Sequence, residues 1–167
     1  MKKLLLLLLL ATLSLGMQAQ EADDHIYGKG VNLEEMKNIE MPKYPGGLDA
    51  LMAFLRKTVK YPSEAEKWKA EGRVIMSFVV EKDGSLSDII ASDCKLTSIN
   101  QGKLDKLTLN EQQEIKERIP KVFAKEGYRV LRKMQKWEPG YLKDEEKGTK
   151  SPVRVKFNLP ITFRIPK

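Results

Sequence analysis

Val153-Arg154-Val155-Lys156-Phe157-Asn158-Leu159-Pro160-Ile161-Thr162-Phe163-Arg164-Ile165 carries an apolar residue at every odd position and a polar residue or proline at every even one. Side-chain direction in a strand repeats every two residues, so this run has one buried and one wet face. Pro160 sharpens the reading. A proline has no N–H to give a ladder, which confines its strand to a sheet edge or a bulge. The run is therefore an edge strand, partly unpaired on one side, and the rest of the chain must supply its neighbours and its cover.

Working back from it, Arg73 to Glu81 alternates in the same way, with Val74, Met76, Phe78 and Val80 on one face. Lys82-Asp83-Gly84 supplies an Asp-Gly turn that favours positive φ, and Ser85 to Ser92 follows with Leu86, Ile89 and Ile90, so the two segments close as a β-hairpin. Leu48, Leu51, Met52, Leu55 and Val59 recur at steps of three and four, the stripe of an amphipathic helix introduced by Tyr44-Pro45-Gly46-Gly47 and stopped by Tyr61-Pro62. Ser63 and Glu66 have capping-box spacing for a brief second turn. Thr108 and Glu111 repeat that spacing and open a helix from Leu109 through Ile119, which Pro120 should end or kink before Val122 to Met134 resume the stripe. Cys94 to Leu107 has little pattern, and Tyr141 to Pro152 reads as a charged loop. The sum is α-β-β-α-β, an α+β fold: a small three-stranded antiparallel sheet with helices on its apolar face.

The N-terminus concerns the compartment. Met1-Lys2-Lys3, the apolar run Leu4 to Leu15, and Ala19 before Gln20 have the layout of a secretory signal peptide, residues 1–19. The apolar run is shorter than the roughly 20 residues that span a bilayer. Gln20 to Lys43 is polar, without a sustained period, and reads as a flexible leader ahead of a domain over 44–167. The chain has 30 Lys and Arg against 23 Asp and Glu, a net +7; without Lys2 and Lys3 the balance is 28 against 23, or +5. These cations are interleaved with acids rather than gathered in a stripe, and an exported protein seldom meets nucleic acid, so no nucleic-acid partner is expected. One cysteine, Cys94, and one histidine, His25, leave no disulfide framework and no Cys/His zinc set.

No catalytic constellation stands out: there is no Ser/His/Asp set, no phosphate-cradling glycine loop, no HExxH and no CxxC. An enzyme is not expected, nor is a cofactor. The remaining candidate is the edge strand, whose row of free N–H and C=O groups can template an added strand. Arg154, Lys156 and Arg164 on its wet face would favour acidic peptides through electrostatic steering. The same edge could instead accept a second copy of the chain.

Several motifs in one order also resemble a known family. Lys43-Tyr44-Pro45-Gly46-Gly47, Tyr61-Pro62, Gly72-Arg73-Val74 through Phe78-Val79-Val80 with Asp83-Gly84, Lys136-Trp137 with Pro139-Gly140, and Pro152-Val153 through Phe163 are similar to the carboxyl-terminal domain of TonB, in the variants common in Bacteroidota. The resemblance runs from about Pro42 to Ile165. It implies a periplasmic module, linked to transmembrane transport, that captures the TonB box of an outer-membrane TonB-dependent receptor by strand addition. The peptide would lie along Val153, Arg154, Val155, Lys156, Phe157, Asn158, Leu159, Thr162 and Arg164, with Tyr44 and Pro45 near the receptor plug. The chain departs from the family in three places. Lys43 stands where the best-known members have glutamine, the segment from about 94 to 125 is longer than the family's short connection, and neither a polar membrane helix nor a long Pro-rich spacer is evident. An inner-membrane motor is accordingly not an expected partner. A soluble periplasmic binding module leads the readings. A membrane-anchored energy transducer with a retained N-terminus and an envelope scaffold that binds peptidoglycan or itself are the alternatives.

Overall fold

A computed structural model of the chain describes residues 38–165. The signal-peptide reading of 1–19 and most of the leader lie outside these residues. In chain order the elements are β1 (Ile39–Glu40), α1 (Gly47–Thr58), α2 (Ser63–Lys67), β2 (Glu71–Val80), β3 (Leu86–Ser98), α3 (Gln101–Leu104), α4 (Leu109–Leu131), β4 (Gly140–Asp144), β5 (Thr149–Val153) and β6 (Val155–Phe163). The fold is mixed α+β. The expected antiparallel sheet is present with strand order β3-β2-β6, so the strand containing Pro160 is an edge. Its ladder to β2 runs without a register shift from Gly72 opposite Phe163 to Val80 opposite Val155, with Pro160 opposite Ile75.

The apolar faces meet as the alternation requires. Val74, Met76, Phe78 and Val80 of β2 and Leu159, Ile161 and Phe163 of β6 are buried together with Ile115, Ile119, Phe123 and Leu131 of α4. Phe123 stacks on Phe163 with ring centroids 4.4 Å apart, while Tyr61 meets both rings edge-on. Gly72 and Gly127 allow this close layering, because a Cβ at Gly72 would come within 2.6 Å of the Phe123 ring and one at Gly127 within 2.5 Å of Met76. The opposite face of β2 is not fully wet. Ser77 and Val79 are 1% and 3% exposed, and Ser77 Oγ has no hydrogen-bond partner among the described residues.

Six features differ from the sequence-based expectation. Tyr141 to Pro152 is not a loop: β4 and β5 form a hairpin that pairs with β1 in a second three-stranded antiparallel sheet, order β1-β4-β5. Its side chains are largely exposed or half-buried, which leaves no apolar alternation to read. Residues 38–43 consequently belong to the folded unit, where Ile39 pairs with Leu142, Lys43 with Glu138, and Pro42 is buried. β3 continues past Ser92 to Ser98, absorbing the start of the 94–125 segment, because bulges in its pairing with β2 scramble the period. α4 neither ends nor breaks at Pro120. The buried row Ile115, Ile119, Phe123 and Gly127 spans the proline at steps of four, so core packing on both sides holds the helix through it. The Thr108–Glu111 capping box forms as read, whereas Ser63 is itself the first residue of α2 and caps nothing. Finally, only Leu51 of the α1 stripe is buried. Leu48 is 67% and Met52 39% exposed, since α1 turns Leu51, Phe54 and Leu55 to the core. No helix among the described residues is long and apolar enough to cross a membrane.

Candidate functional site

The side of β6 that pairs with no other described strand defines the site, and the pleat divides its residues into two groups. Val155, Leu159, Ile161 and Phe163 point into the core and leave only backbone at the edge; Val153, at the end of β5, is likewise buried. Phe157 is the exception among the inward residues. It is half-buried, paired with Phe78 across the sheet at 5.7 Å between ring centroids and tilted against Trp137 at 5.1 Å. Beside it lies a groove of about 200 Å³ lined by Pro42, Tyr44, Leu48, Leu51, Trp137 and Phe157. The exposed Leu48 extends this apolar strip along α1, and Met52 stands one helical turn further on.

Tyr44 and Pro45 are thus brought to β6, but in different ways from each other. Tyr44 is 6% exposed and acts as a wall, with its ring edge-on to Trp137 at 5.7 Å and tilted to Phe54 at 5.8 Å. Burial pushes its phenol above the usual tyrosine range, against a smaller opposing hydrogen bond with Gln135. Pro45 is half-buried on the turn whose Gly46 has φ +83 and leads into α1. Sequence reasoning did not place Leu48 and Trp137 at the site. Leu48 reads as one more member of a helical stripe, and Trp137 carries no period. The buried indole Nε1 of Trp137 has no hydrogen-bond partner among the described residues.

The wet face carries Arg154, Lys156, Asn158, Pro160, Thr162 and Arg164, and its three cations are not equivalent. Arg154 donates from Nε to Glu81 Oε2 at 2.7 Å and from Nη2 to Glu81 Oε1 at 3.0 Å, with Asp88 at 3.7 Å. Its charge is committed within the domain. Lys156 and Arg164 are exposed and make no ion pair with a described residue. Arg164 borders a shallow depression shared with Arg73, Lys95, Thr97 and Thr162, where Arg73 lies 4.0 Å from Asp93. Glu71 contributes the one acid of that rim and accepts the Ile165 N–H at 3.0 Å. Among the described residues no three His, Cys, Asp or Glu side chains gather as metal ligands. Cys94 is half-buried, and burial followed by the neighbouring Asp93 pushes its thiol up, away from the reactive thiolate.

Among the described residues these features define a class: a small α+β domain with an unpaired antiparallel edge, an apolar groove on one side of that edge and two cations without an ion-pair partner on the other. No protein-family model and no curated protein matches the sequence. Among solved structures the chain is similar to the solution structure of the TonB C-terminal domain of Helicobacter pylori, residues 179–285, with 16% sequence identity and a TM-score of 0.41 over 84% of this chain and 90% of that one.

Proposed function

We propose that this domain is a periplasmic TonB-like binding module that captures an extended segment of an outer-membrane TonB-dependent receptor, or of another envelope protein, by strand addition to β6. It serves transport across the envelope as a binding partner rather than as an enzyme. The observation that carries the reading is the edge of β6, nine residues in unbroken register with β2, with no described strand on its outer side, and bordered by the groove at Phe157. Backbone groups along such an edge give affinity to any extended chain, and side-chain pockets on either face select among them. The motif order from Lys43 to Phe163 that resembles TonB points to the same strand, and the signal-peptide layout of 1–19 favours the periplasm.

The test is an amide-resolved NMR titration of the chain from Gln20 onward with TonB-box peptides from receptors of its own organism. Capture predicts shifts concentrated on the amides of 155–163 and on those flanking Tyr44 and Trp137. Lys156→Glu should leave the spectrum folded and weaken acidic peptides. No shift at millimolar peptide, together with binding to peptidoglycan, would replace this reading with an envelope scaffold.

A further inference from the structure

The outer wet face of β6, continued one residue past the strand to Arg164, has a charge pattern of its own. From Lys156 to Arg164 it reads cation, Asn158, Pro160, Thr162, cation, all five exposed. Arg154, two residues earlier on the same face, would have made a continuous cationic run, but Glu81 and Asp88 neutralise it. The two remaining cations stand eight residues apart, about 27 Å along an extended strand. Both form no ion pair with a described residue. Around Arg164 the rim carries Lys95 and Arg73, the latter 4.0 Å from Asp93, against one acid, Glu71.

Resting on the strand-capture reading above, we infer that this edge selects an extended peptide carrying two acidic residues eight positions apart, with neutral residues between them on that face and an apolar residue beside one acid. A strand added to β6 sets its side chains opposite those of β6 at about 5 Å. Acids eight apart therefore meet Lys156 and Arg164 together, whichever way the peptide runs. Acids four or six apart share the correct face but meet only one cation, the other falling opposite Pro160 or a neighbouring neutral residue. Acids at an odd spacing put one carboxylate on the apolar side, toward Phe157 and Leu48, where desolvation opposes it. The residue next to the acid at Lys156 lies over Phe157, which explains why the apolar anchor is adjacent.

The experiment is fluorescence anisotropy of the chain from Gln20 onward with labelled peptides of one alternating Val/Thr frame. The acids are placed four, six, seven or eight residues apart, and a neutral peptide has Asn in their place. An exposed ion pair contributes about a factor of two to five in affinity, so the eight-spaced peptide should exceed the neutral one by about fourfold or more and the four-spaced one by about twofold or more. Lys156→Gln or Arg164→Gln should bring the advantage of the eight-spaced peptide over the neutral one down to that of the four-spaced peptide. The advantage should shrink at high salt. Equal affinity at all even spacings, or a preference that survives both substitutions, overturns the charge ruler while leaving strand capture standing. If no peptide binds, the neutral one included, strand capture fails and the ruler fails with it.

Discussion

Ser77 is buried on the face of β2 away from the helices, and its hydroxyl has no partner among the described residues. A buried, unpaired hydroxyl is costly, while its replacement by an apolar group of similar size is close to neutral. Ser77→Ala should therefore leave stability unchanged or raise it by up to about 1 kcal/mol in urea unfolding, the reverse of a usual buried polar deletion. Gly84 is the opposite case. Its φ of +81 belongs to the turn between β2 and β3, its carbonyl accepts the Trp137 N–H at 2.8 Å, and a Cβ there would lie 1.9 Å from the Trp137 carbonyl oxygen. Gly84→Ala adds a left-handed backbone penalty to a backbone clash, so a loss of more than about 2 kcal/mol is expected in the same assay. The Asp83-Gly84 turn was legible from the dipeptide alone. That the Gly84 carbonyl also anchors Trp137, which walls the groove at Phe157, depends on a contact 53 residues away and leaves no local signal.

At the scale of elements, legibility followed how much of each segment's pattern is set by one flat, buried face. β6 and β2 alternate cleanly because each lays one row on the same helix layer, and the edge position of β6 followed from Pro160. β4 and β5 lack such a row, and their turn, marked only by Gly148 at φ +62, is buried in a charged sequence. α4 shows tertiary packing overriding a local rule. Pro120 costs an interior backbone hydrogen bond and would break an isolated helix, but the buried stripe from Ile115 to Leu131 is continuous through it. Pro120→Ala should restore that bond and raise the unfolding free energy by about 1 to 3 kcal/mol, read from the denaturant midpoint, with peptide affinity at β6 unchanged. A decrease would show that the proline ring itself fills the core. α1 was legible as a helix but not in its orientation, because five apolar residues on its surface exceed what one face can bury. The surplus, Leu48 and Met52, is what borders the candidate site.

For the whole molecule, the response to pH follows from which groups prefer their charged form when folded. Glu126 ties α4 to the end of α1: its carboxylate accepts the Lys60 N–H at 2.7 Å and two donors of Arg129 at 2.7 and 2.5 Å, while Arg129 also donates to the Thr58 carbonyl at 2.6 Å. Burial alone would push the Glu126 carboxyl up; the Arg129 hydrogen bonds, the Lys60 N–H and the two nearby cations together hold it below the usual glutamate range. Hydrogen bonds and ion pairs hold Asp83, Glu111, Asp144 and Glu40 down as well, with Lys136 the first cause at Asp83 and Thr108 at Glu111. A carboxyl whose folded pKa is depressed contributes stability above its unfolded pKa, about 4, and loses it as pH falls through the folded value. Tyr44 and Tyr61 are shifted the other way by burial, so folding favours their neutral forms and stability should fall as pH rises above about 10. The domain should therefore be most stable on a plateau between about pH 5 and 9, with Trp fluorescence in urea as the probe. Within that plateau Glu126→Gln should cost about 2 kcal/mol, because it weakens charge-assisted bonds while keeping the shape of the side chain. The gap between the variant and the natural chain should then close as pH drops below 4, since a protonated Glu126 and a glutamine offer Arg129 nearly the same neutral acceptor. A gap that persists undiminished at pH 2.5 would mean that the α1–α4 junction depends on the shape of Glu126 and not on its charge.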